Sequence, residues 1–207
     1  MTRGGEAPGA VRPAVAGAEA AALRILPATA DDAAAIGAIY DEGVAAGLAT
    51  FATGPHTAAE RRAWLAARGE RAPVWAGRAG GEVVAWSALA PFSHRSWYSG
   101  VGEYTVYVAG RAQGRGIGAA MLRTLVAEAP RYGYWKLVGM ILPENAAGLA
   151  LARRAGFRVV GTHRAHARLA GRWRDVTVVE RHLEVPEGDG TLTESGADPL
   201  ARGDADG

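Results

Sequence analysis

The sequence contains no cysteine, which excludes disulfides, thiolate metal sites and a cysteine acyl-enzyme. Any acyl transfer must therefore be direct or use another nucleophile. A serine hydrolase's G-x-S-x-G elbow is missing as well. The histidines add little: His163 and His166 are three apart, while His56, His94 and His182 stand alone, so no metal-ligand set assembles. No run or stripe of Lys and Arg marks a nucleic-acid binder. Residues 1–22 are rich in Ala, Gly and Pro and lack the unbroken apolar stretch of a signal peptide. The expected setting is cytoplasmic, with neither membrane nor nucleic acid as partner.

What is present suits one folded domain. The chain has 207 residues, 49% hydrophobic and 21% charged, enough for one substantial core and thin for two. The formal charge of +2 is unevenly spread. Residues 186–207 carry a sum of −5 and the first 22 balance, leaving +7 on Leu23 to Val185. That surplus suits a polyanionic small ligand. Residues 1–22 read as a disordered leader, 23–185 as the domain, and 186–207 as a solvated acidic tail without apolar period.

Leu23 to Leu26 reads as a short strand, and Thr29 or Asp31 caps a helix through Ala33, Ile36, Ile39 and Tyr40. A loop from Gly47 leads to a second helix that Pro55 or Thr57 initiates; Phe51 and Trp64 there suit core packing. Val74 to Arg78 and Glu82 to Ala88 form a hairpin around Ala79, Gly80 and Gly81. Pro91 to Gly100 is a polar and aromatic loop, in which Arg95, Trp97 and Tyr98 can grip a substrate oxyanion, since a guanidinium offers a planar donor fork. Lys136 to Leu142 is a central strand, and the helix after Asn145 stops at Gly156. Arg158 to Thr162 and Asp175 to His182 pair as terminal strands, separated by the basic stretch His163 to Arg174. This order describes an α/β domain, a mixed sheet with helices on both faces.

The stretch with most chemistry runs from Glu103 to Gly118, EYTVYVAGRAQGRGIG. A β-rich half, Glu103 to Val108, feeds a turn with Gly110, Gly114, Gly116 and Gly118 set around Arg111, Gln113 and Arg115. A helix follows, AAMLRTLVAE. A strand entering a helix through such a turn exposes backbone N–H groups at the positive end of the helix dipole, a phosphate cradle. As G-x-G-x-x-A, residues Gly114, Gly116 and Ala119 imitate a dinucleotide fingerprint, but no acid stands about 20 positions on. As Q-x-x-G-x-G, Gln113, Gly116 and Gly118 resemble the pyrophosphate motif of the GCN5-related N-acetyltransferases.

That resemblance covers Leu23 to roughly Val185, with QGRGIG and the later NAAGLALARRAGF in order. Further motifs resemble the phosphinothricin acetyltransferase branch: Ala49, Thr50, Phe51 and Pro55; Pro91, Phe92, Arg95 and Tyr98; Glu103 with Val106, Tyr107 and Val108; Gly171, Trp173 and Asp175. It implies acetyl transfer from acetyl-coenzyme A, with no metal, to the primary amine of a small amino acid or analogue. It implies that the strand ending near Val108 splays from its neighbour, so that Val106 and Val108 bind the pantetheine arm. The pyrophosphate would lie on Gln113, Gly114, Arg115, Gly116, Ile117 and Gly118 near Arg111, with Asn145 also on the cofactor. Phe51, Arg95 and Tyr98 would line the acceptor site, and a homodimer is a further implication.

An α-amine, with a pKa near ~8, is mostly protonated at neutral pH, so a base must take a proton before or during attack. Glu103 aligns with the carboxylate that does this, and partial burial beside Tyr98, Tyr104 and Tyr107 would raise its proton affinity. The backbone N–H of Val106 is the expected oxyanion donor. Seven residues after Asn145, where the branch carries His and other members Tyr, stands Ala152. No side chain there protonates the leaving thiolate. A basic residue common at Ser93, and a GYK run near Ala167 to Leu169, are also absent. A coenzyme A binder without turnover and a dinucleotide enzyme are the alternatives.

Overall fold

The computed structural model describes residues 22–52 and 54–184. The expected leader (Ala22 apart) and acidic tail lie outside them. In chain order the elements are β1 (Arg24–Pro27), α1 (Ala33–Ala46), α2 (Ala58–Ala66), β2 (Val74–Ala79), β3 (Glu82–Pro91), β4 (Val101–Val108), α3 (Ile117–Glu128), β5 (Lys136–Ile141), α4 (Ala146–Arg154), β6 (Arg158–Leu169) and β7 (Arg172–His182). The seven strands form one sheet, ordered β1-β2-β3-β4-β5-β7-β6. Every pairing is antiparallel except β4 with β5.

Local chemistry sets the helix starts. The Asp32 carboxylate accepts the Thr29 backbone N–H at 2.9 Å ahead of α1. Thr57 and Glu60 close a reciprocal pair at α2, with Thr57 N–H donating to Glu60 Oε2 at 2.8 Å and Glu60 N–H to Thr57 Oγ1 at 3.1 Å. At α3 the helix begins at Ile117, two residues before the expected Ala119, so its first unpaired N–H groups fall inside the glycine turn.

The terminal strands differ from expectation. The basic stretch His163 to Arg174 is not a connector: β6 runs on to Leu169, β7 starts at Arg172, and Ala170 and Gly171 turn between them with φ of 48° and 77°. Most of β6 is exposed on both faces, and along its outer half Arg and His alternate with Ala, so no dry face is set against a wet one. Hydrophobic period therefore carried no trace of its outer half, beyond Thr162.

Two layers of side chains sandwich the sheet. On one face α1 and α2 cover Trp86 and Tyr107, whose rings stack with centroids 4.9 Å apart, and Tyr40 from α1 meets Tyr107 edge-on at 5.2 Å. On the other, Leu89, Met121, Leu122, Leu125, Leu137 and Val179 are fully buried around α3. Truncating any of these leucines to alanine would cost roughly 2–5 kcal/mol. The face under α1 and α2 is filled unevenly: Trp86 pairs with Tyr107, but Ala88 sits opposite Thr105 and Ala90 opposite Glu103. Small side chains there leave a hole.

Candidate active site

The parallel pair β4–β5 is joined over three positions, Val101↔Lys136, Gly102↔Leu137 and Glu103↔Val138, and then ends. Beyond Glu103 the strands part, so Tyr104 to Val108 of β4 present a ladder edge that β5 does not fill. Side chains alternate along β4. Glu103, Thr105 and Tyr107 therefore face α1 and α2, whereas Tyr104, Val106 and Val108 face α3 and α4.

A cavity of about 580 Å³ runs through this opening. Glu103, Tyr104, Thr105 and Val106 line it from β4, and Gly139, Met140 and Ile141 from β5 with Leu142 just beyond. Asn145 and Leu151 of the α4 region flank one side, and Phe51, Tyr40, Arg61 and Trp64 the other. The Glu103 carboxyl is held above the ordinary carboxylate range because burial withdraws it from water. Tyr104 lies across Gly139: a Cβ on that glycine would come within 2.8 Å of the phenol oxygen and closer to the ring. Its ring packs on Phe157 at 4.8 Å, and burial pushes its phenol up, so it stays protonated.

At the far end of β4, Gly114 and Gly116 adopt φ of 73° and 78°, and Gly116 caps α3. A Cβ at either would meet nothing within 4 Å, so these glycines serve the backbone path and leave the surface over it open. The N–H groups of Ile117 and Gly118, in the first turn of α3, have no intrahelical acceptor. Gln113 is committed inward, Nε2 donating to the Val108 carbonyl at 3.2 Å. Arg111 pairs with Glu82 at 2.8 Å, while Arg115 is exposed and makes no ion pair with the described residues. Asn145 caps α4, its Oδ1 accepting the Gly148 N–H at 2.8 Å. A free strand edge leading to a helix-start phosphate cradle fits an extended thioester carrier with a diphosphate at its far end.

The acetyltransferase (GNAT) family model matches residues 48–157, half of the chain. The chain belongs to the GNAT acetyltransferases. It is 32% identical to an L-methionine sulfoximine/L-methionine sulfone acetyltransferase of Pseudomonas paraeruginosa, over 71% of this chain and 87% of that one. With the phosphinothricin N-acetyltransferase of Streptomyces coelicolor it shares 32% over 79% and 98%. Among solved structures, a phosphinothricin acetyltransferase from Sinorhizobium meliloti in complex with acetyl-coenzyme A superposes with a TM-score of 0.72 at 29% identity, covering 86% of this chain and 94% of that one. A Salmonella typhimurium acetyltransferase solved with acetyl-coenzyme A gives 0.76 at 28%, covering 82% and 99%. Like other GNAT enzymes, this one is an N-acetyltransferase whose acyl donor is acetyl-coenzyme A. Its mixed sheet, with a single parallel pairing, is not the parallel frame of a dinucleotide enzyme.

The expected acceptor residues do not all meet. Phe51 lines the cavity. Arg95 and Tyr98 lie on the β3–β4 connection, exposed and outside the lining, with the Arg95 guanidinium 5.9 Å from the Trp97 ring. Conversely, Tyr40, Arg61 and Arg68 line the cavity without having been singled out for chemistry. Ala152 is fully buried, so α4 offers no proton donor there. Among the described residues no cluster of three His, Asp or Glu is placed to hold a metal, and no helix is long and apolar enough to cross a membrane.

Proposed function

We propose that this GNAT enzyme acetylates the α-amine of a small amino acid or analogue, phosphinothricin-like or methionine-derived, with Glu103 as the base. One observation carries the reading: a desolvated carboxyl stands where β4 and β5 part, in the same cavity as the free β4 edge. The pantetheine arm pairs with that edge at Val106 and Val108, and the diphosphate sits on the N–H groups of Gln113 to Gly118, with Arg115 and Arg111 beside it. Asn145 lines the cofactor side of the opening. Glu103, directly or through water, takes the ammonium proton, and the freed lone pair attacks the acetyl carbon. The Val106 N–H stabilises the developing oxyanion; as it collapses, the C–S electron pair leaves on sulfur and the nitrogen's second proton passes through water to the departing thiolate. With Ala152 unable to assist, the Tyr104 hydroxyl at the apex of the opening donates a hydrogen bond to the departing thiolate and keeps its own proton.

Relatives named for phosphinothricin and methionine sulfoximine supply the acceptor class. Phe51 lines the acceptor end; Arg95 and Tyr98 belong to the proposal only as an exposed rim, since they stand outside the lining. Thiol release from acetyl-coenzyme A with a panel of amino acids tests the reading. Saturable acetyl-coenzyme A binding with no thiol released from any amine would overturn it in favour of a binder without turnover. A homodimer and a cytoplasmic place of action complete the proposal; sedimentation at working concentration checks the former.

A further inference from the structure

Among the described residues Arg61 is the only buried arginine, 6% exposed. Among the described residues its Nε and Nη2 have no hydrogen-bond partner, and none of their carboxylates lies within the 4.0 Å of an ion pair. Its neighbours differ. Arg68 donates to the carbonyls of Ala72 and Leu89, and Arg78 pairs with Asp32. The guanidinium of Arg61 lies 4.5 Å from the Tyr40 ring centroid and 5.1 Å from that of Trp64. Those π faces hold the cation in place. They satisfy none of its in-plane donors.

A buried charge without a partner is among the costliest features a fold can keep. The nearby carboxylates are already engaged: Glu60 accepts from Thr57, Asp41 from the His56 N–H at 3.2 Å, and Glu42 from the Gly110 N–H at 2.6 Å. The missing acceptor is therefore not in this part of the chain, and Arg61 lines the same cavity as Glu103.

We propose that Arg61, clasped by Tyr40 and Trp64, is an oxyanion subsite that receives the acidic side-chain terminus of the acceptor. The inference rests on Glu103 as the amine site proposed above. Tyr40 meets Tyr107, which lies four residues along β4 from Glu103, about 13 Å by strand rise. An α-carboxylate, two bonds from its amine, is too close to the reacting nitrogen to span that interval. The Glu103 and Arg61 side chains, both lining the cavity, take up part of the interval from either end, and a carboxylate or phosphinate at the end of an amino acid side chain, four bonds from the amine, reaches further into the remainder than an α-carboxylate can. The subsite thus selects amino acids with a terminal oxyanion over those with a neutral side chain of equal length.

The test compares wild type, Arg61→Lys and Arg61→Gln on matched acceptors: phosphinothricin and glutamate against methionine and glutamine. Wild type should favour the oxyanionic members in kcat/KM by at least about tenfold, the range of one charge-assisted contact. Arg61→Gln should erase that preference chiefly through KM, and Arg61→Lys should keep part of it. Circular dichroism confirms that each variant folds. Thermal shift with phosphinothricin alone gives a second readout: stabilisation of wild type but not of Arg61→Gln supports the subsite even where no acceptor turns over, a result that would sink only the catalytic reading. Equal losses on charged and neutral acceptors, or no charge-dependent shift in wild type, would show Arg61 to be a packing residue and overturn the proposal.

Discussion

Glu103 carries two opposed consequences of burial. Its folded pKa lies above that of an unfolded glutamate because desolvation disfavours the charge. If it is the base, as proposed, it must be ionised to act, so kcat/KM should fall as pH drops through this raised value, placing the acid limb above the ~4.3 of a free glutamate. For stability the sign reverses. The folded state binds the proton more tightly, so stability is lost as pH rises through the window between the unfolded and folded values. Glu103→Gln should therefore cut kcat by about 10²-fold or more, while melting higher than wild type at pH 8. Unchanged turnover would remove Glu103 as base. This residue was legible in the sequence because a motif fixed its position on a strand. Arg61 was not: in AAERRAWLA it reads as one more charge on a solvated helix face, and only the packing of its stem beside Gly37 of α1 turns it inward.

The turn between β4 and α3 was legible for a related reason, since left-handed glycines and a helix start are written locally. Gly116 at φ 78° caps α3, and Gly116→Ala would impose about 1–2 kcal/mol of left-handed strain. The expected result is a lower melting temperature together with weaker acetyl-coenzyme A binding by calorimetry, as the N–H groups of the turn relax away from a shared focus. An unaltered Kd would show that the turn's shape is set by its surroundings. The β6–β7 ribbon was legible only at its buried root, where Val176 and Val179 fill the core. Its outer half is specified by pairing and by the Asp175 carboxylate accepting the Ala165 N–H at 2.8 Å, neither of which leaves a hydrophobic period.

Across the molecule, one buried carboxylate ties three strands. Glu180 on β7 accepts from Lys136 on β5 and pairs with Arg158 on β6. The Lys136 hydrogen bond, then the charges of Lys136 and Arg158, hold its pKa below the usual glutamate range. The stability it contributes is present above the unfolded value and lost as pH falls through the depressed one. Glu180→Gln should lower stability by about 1–3 kcal/mol at pH 7, because Lys136 and the largely exposed Arg158 lose a charged acceptor. The deficit should shrink on acidification, as read from urea midpoints at pH 7 and pH 3. A pH-independent deficit would point to packing instead. The order of elements was readable because most segments carry their own period, whereas the parting of β4 from β5 was supplied by family resemblance.

That parting leaves the middle of the sheet unstitched over half of β4. Amide protons at Val106 and Val108 should then exchange with deuterium rapidly in the unliganded protein and slow markedly once acetyl-coenzyme A lies alongside, with little change at Gly102. The donor would act as an eighth strand, lent for one turnover, and the protein's rigidity along its midline would rise and fall with each catalytic cycle.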